Sequence, residues 1–78
     1  MFAEYIDGAV EGATFDKLET GEFYGQIPLC QGVWASGETL EGCRKELIEV
    51  LEDWLLLKLR DGDEIPVVGG VDLNLERV

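Results

Sequence analysis

Histidine is missing altogether from this chain, and whole classes of chemistry go with it. No Ser-His or Cys-His nucleophilic couple and no His-ligated metal site can be assembled from these residues. Basic residues are scarce. Lys and Arg number 6 against 17 Asp and Glu, a formal net charge of −11. A nucleic-acid-binding face needs clustered Lys and Arg, so direct binding to nucleic acid is not expected. The charge favours a basic partner instead. Cysteine occurs twice, at Cys30 and Cys43, which allows one bridge at most and no disulfide framework. No apolar run approaches the ~20 residues that span a bilayer, and no basic segment typical of a signal peptide opens the chain. These absences predict a cytoplasmic protein with reduced thiols and no membrane contact.

What is present reads as one globular domain over residues 1–78. Apolar residues make up 46% of it, too many for a disordered chain. A domain this short buries only about 60–65% of its unfolded surface, near the lower limit for a stable monomer. Without metal or disulfides, the remaining route to stability is self-association into a homodimer or higher oligomer.

The hydrophobic periods define the elements. Phe2, Tyr5, Ile6, Ala9, Val10 and Ala13 recur at helical spacing, so 2–12 is a short helix. Residues 14–35 form a three-stranded meander. Its first hairpin is predicted to turn on the two residues Thr20-Gly21, which pairs Lys17 with Tyr24 and Leu18 with Phe23. That register puts Phe15, Tyr24 and Trp34 on one face. Leu40 to Arg60 carries the clearest helical stripe, giving a helix over 39–60 with Thr39 as N-cap and Gly62 as its stop. Trp54 falls on that stripe and is expected in the core. Ile48, Leu55 and Leu59 widen the stripe and are the candidate self-association residues. Val71, Leu73 and Leu75 alternate with polar residues, so 71–76 reads as a final strand. The order α-β-β-β-α-β implies an α/β (α+β) fold: a mixed four-stranded sheet with one long helix on a face, the last strand seated beside the first.

The run Ile27-Pro28-Leu29-Cys30-Gln31-Gly32-Val33-Trp34-Ala35-Ser36-Gly37-Glu38-Thr39-Leu40-Glu41 resembles the centre of HicB-family antitoxins. In that family a strand ends in Pro, a short loop closes on Gly, and Gly-x-Thr-x-Glu opens a long helix. Pro28, Gly32, Gly37, Thr39 and Glu41 fill those positions. The resemblance implies a partial ribonuclease-H-like domain without catalytic carboxylates. It implies inhibition of a HicA-type toxin, a small basic ribonuclease that cleaves mRNA. The chain ends at Val78 after the final strand, which reads as a short form without the C-terminal DNA-binding domain. Gly42 stands where the family often has an acid, so Thr39 lacks a capping-box partner and the helix should start more loosely.

No catalytic residue, metal site or cofactor is expected. Asp61, Asp63 and Glu64 lack the ligand count of a calcium loop and read as a solvated turn. Cys43 lies on the apolar stripe, and both cysteines read as inert thiols. The candidate residues for binding a toxin or a second subunit are Phe15, Tyr24, Pro28, Leu29 and Trp34, because aromatic and apolar anchors typically hold an interface. The other reading of Phe15, Tyr24 and Trp34 is a second small core covered by the N-terminal helix. The alternative is a stand-alone oligomeric module with no toxin partner.

Overall fold

The computed structural model describes residues 2–68, 70 and 71. Among them the order is α1 (Phe2–Glu11), β1 (Thr14–Lys17), β2 (Phe23–Gln26), β3 (Trp34–Gly37) and α2 (Leu40–Asp61). The strands form an antiparallel meander, β1-β2-β3, with α2 on one face. The expected fourth strand at 71–76 lies almost wholly outside the described residues. Val71 alone is seen, bridged to Val68.

Local chemistry accounts for the limits of α2. The Gly42 N–H donates to the Thr39 hydroxyl at 2.9 Å, so half of a capping box forms without an acid at 42. At the other end the Gly62 N–H donates to the Leu59 carbonyl and the Asp63 N–H to the Lys58 carbonyl. That pair is a Schellman stop, with Gly62 at a φ of 73°. Cys43, Leu47, Leu51 and Leu55 recur every fourth residue and are all buried. Val50 and Trp54 flank them half-buried. Trp54 therefore sits at the margin of the core, with the Lys58 ammonium 5.4 Å from its ring centre.

α1 docks on α2 through Tyr5, Ile6, Ala9 and Val10. It does not cover the sheet. Ile27, Cys30, Val33, Ala35, Ile65 and Val68 complete the core. The Tyr5 hydroxyl donates to the Pro66 carbonyl at 2.7 Å and lies 3.9 Å from the Cys30 sulfur, tying α1 to the segment after α2.

The hairpin register differs by one residue from the sequence expectation. Lys17 pairs with Phe23, Asp16 with Tyr24, Phe15 with Gly25 and Thr14 with Gln26. Leu18 and Glu22 close the ladder, and the Gly21 N–H returns to the Leu18 carbonyl. Gly21 has a φ of 94°, so the loop is the three-residue kind with a left-handed third position. A two-residue loop would have needed positive φ one position earlier, at Thr20. The slip changes which residues meet across the strands. Phe15 now lies over Gly25, on the face that α2 covers, where its ring fills the space of the missing side chain.

Candidate partner-binding surface

The register separates the expected site residues. On the covered face lie Phe15, Lys17, Phe23, Gly25, Ala35 and Gly37. On the other lie Thr14, Asp16, Tyr24, Gln26, Trp34 and Ser36. Phe15 packs against the core and is withdrawn from the partner-binding set. Tyr24 and Trp34 stay together: their rings stack with centres 5.9 Å apart and planes 30° apart. Trp34 is 56% exposed, an unusual state for the largest kind of side chain. No described helix covers this face, so Trp34 stands against solvent with the half-buried Tyr24 beside it.

The loop between β2 and β3 brings a second apolar element. Leu29 is 61% exposed, and Pro28 beside it is exposed too. Pro28 and Leu29 line a groove with Gln31, Trp54, Lys58 and Pro66. Tyr24 and Trp34 on the sheet and Pro28 and Leu29 on the β2–β3 loop are therefore two separate exposed apolar elements. Sequence patterning missed Ser36, which flanks the aromatic pair together with Gln26. The alternation around Trp34 carried the signal for Ser36.

The acids surround these surfaces. Asp16 is the cross-strand neighbour of Tyr24. Glu22 and Glu38 share a concavity at the hairpin end with Thr20 and Gly21. Among the described residues the ion pairs are Lys58–Asp63 at 3.9 Å and Arg60–Asp61 at 3.3 Å, both at the end of α2. The acids on the sheet therefore keep their field, which attracts a basic surface over roughly 8–10 Å at ordinary salt. No group of three or more acids or cysteines is gathered to hold a metal ion among the described residues.

The self-association set also divides. Leu55 is fully buried within the protomer and belongs to the core, while Leu59 is 38% exposed and Ile48 is half-buried. The wider exposed leucines of α2 are Leu40, Leu56 and Leu57. A four-residue repeat at 43, 47, 51 and 55 took Leu55 inward, so the three expected residues form no single exposed patch. Both cysteines are buried and unbridged. Burial raises the pKa of each thiol, and a contact with the Tyr5 hydroxyl lowers that of Cys30 in part. Thiols held protonated are poor nucleophiles. No described helix is long and apolar enough to cross a membrane.

No functionally curated protein matches this chain. Among solved structures, TTHA0281 from Thermus thermophilus is similar, with a TM-score of 0.87 and 37% identity, over 95% of this chain and 93% of that one. A family profile described as UPF0150-like matches residues 4–66, and the chain belongs to that family.

Proposed function

We propose that this chain is an antitoxin, an inhibitory module that binds and neutralises a small basic HicA-type ribonuclease. The UPF0150-like family is related to HicB-like antitoxins, which supports this class of partner. The observation that carries the reading is the stacked Tyr24–Trp34 pair on the sheet face away from α2, with Trp34 open to solvent and Tyr24 half-buried beside it. Aromatic rings exposed in this way are typical hot-spot anchors. The chain's charge of −11 then guides a basic partner to that face. The acids screen the toxin's RNA-binding surface, and the aromatics with Leu29 exclude water and hold the complex. The chain itself performs no catalysis and needs no cofactor in this reading.

The test is co-expression with a small basic HicA-type toxin, followed by recovery of the complex. Growth should be restored. Added salt should slow association, because exposed charges are screened. Tyr24→Ala should weaken binding about 30-fold, mainly through faster dissociation. Undiminished growth arrest with no complex at low salt would overturn the proposal in favour of a toxin-free oligomer.

A further inference from the structure

The backbone of β3 has one edge without a partner among the described residues. In an antiparallel ladder, residues alternate between pointing their N–H and C=O groups at the neighbouring strand and pointing them away. The Ile27 N–H donates to the Val33 carbonyl, so 33 faces β2, and the β2–β3 register carries this on to 35 and 37. Trp34 and Ser36 therefore direct their N–H and C=O groups outward. Exposed edges of this kind are normally blunted by charge, proline or a bulge. β1, the other edge, carries Asp16 and Lys17. β3 is Trp-Ala-Ser-Gly and has none of these guards.

We infer that β3 pairs with β3 of a second copy of this chain about a two-fold axis at Ala35. This placement does not rest on the toxin reading. With Ala35 opposite its symmetry mate, Trp34 faces Ser36 of the partner subunit. The outward groups of both residues then form four main-chain hydrogen bonds, two on each side of the axis. The residue on the axis becomes a non-hydrogen-bonded pair, where side chains approach most closely, at a Cα separation of about 4.5 Å. A small residue suits that position, and Ala35 is buried on the α2 face. On the open face each Trp34 ring lies beside a small Ser36, which leaves room for it. A groove of about 430 Å³ runs along the same edge, lined by Gly32, Trp34, Ala35, Ser36, Glu46 and Val50, and offers Val50 as further apolar contact.

Charge decides between a second copy and a basic partner at this edge. Two chains of −11 repel, so they meet best where charge is least. Residues 29–37 contain no charged side chain at all. A basic partner is guided to the open face, where Asp16 neighbours Tyr24, and gains no charge attraction from the main-chain edge of β3 itself. The edge is also self-complementary under a two-fold, as an isologous dimer requires.

Sedimentation of the full chain at roughly 10 µM should show a dimer. Amide hydrogen exchange should slow at Trp34 and Ser36 as concentration rises, while the outer amides of β1 stay unchanged. Ser36→Pro removes an outward N–H without touching the β2 ladder. It should weaken the dimer about 30-fold, since two symmetric bonds are lost. Trp34→Glu adds a further like charge at the edge and should give monomer with an unchanged circular-dichroism spectrum. A monomeric wild type at this concentration would overturn the inference. So would a dimer whose Trp34 and Ser36 amides exchange freely, or one that survives Trp34→Glu intact.

Discussion

Gly37→Ala adds a single methyl group at the junction of β3 and α2. A Cβ at this position meets the backbone nitrogen of Cys43 at 2.8 Å, its Cα at 3.0 Å and the Gly42 carbonyl carbon at 3.2 Å. These are main-chain atoms of the first turn of α2 and cannot rotate away. That turn is fixed by the Thr39 cap and by the Cys43 N–H donating to the Thr39 carbonyl at 2.9 Å. Relief requires α2 to lift from the sheet, which loosens Cys43 and Leu47 in the core. Overpacking of this sort costs about 1–3 kcal/mol. Replacing glycine also restricts the unfolded chain, which offsets about 0.4–1 kcal/mol. The expected net loss is roughly 1–2 kcal/mol. With a urea slope near 1 kcal/mol/M for so small a domain, the midpoint should fall by about 1–2 M. The melting temperature should fall by about 5–15 °C. Gly12→Ala is the matched control, because its nearest atom, the Ala9 carbonyl oxygen, is 3.6 Å away in ordinary contact. It should be neutral or slightly stabilising. Equal urea midpoints for the two variants would refute the claim that α2 needs Gly37 to approach β3.

Tyr5→Phe removes the hydroxyl that reaches Pro66 at 2.7 Å, and should destabilise the fold by about 1 kcal/mol with little change in packing. An unchanged urea midpoint would mean that this hydroxyl does not tie α1 to the segment after α2. Stability should also fall at alkaline pH under reducing conditions. Burial raises the pKa of Cys30, Cys43 and Tyr5, so their stabilising contribution is complete below the ordinary thiol value of 9.0. Above it the unfolded chain ionises first, and the contribution is lost as pH climbs towards the raised folded values. Melting curves from about pH 8 to about pH 11 should show the fall. The Cys30→Ala, Cys43→Ala double variant should show a smaller one, and an identical slope in both proteins would remove the thiols from the account.

Interactions between near neighbours in the chain were enough to place the helices and their caps. Apolar residues at helical spacing mark both helices, and Thr39 and Gly62 bound the longer one because capping is local hydrogen bonding. The charge of −11 and the absence of histidine bear on chemistry directly, whatever the fold. The burial of Cys43, too, was legible from its place on the stripe. What needed three dimensions was the pairing of distant residues. One residue of hairpin slip, set by the backbone of Gly21, moved Phe15 under α2 while Tyr24 and Trp34 stayed on the bare face. Gly21 can serve at positive φ in either loop length, and the cost of a positive φ at Thr20 is what set the three-residue loop. The direction in which α1 packs decided the rest. Its apolar stripe says that it must dock, and only the folded chain says that it docks on α2 rather than over Tyr24 and Trp34. Amphipathic patterning states how much surface an element must bury, but not against which neighbour, since the hydrophobic effect is proportional to area and has no direction.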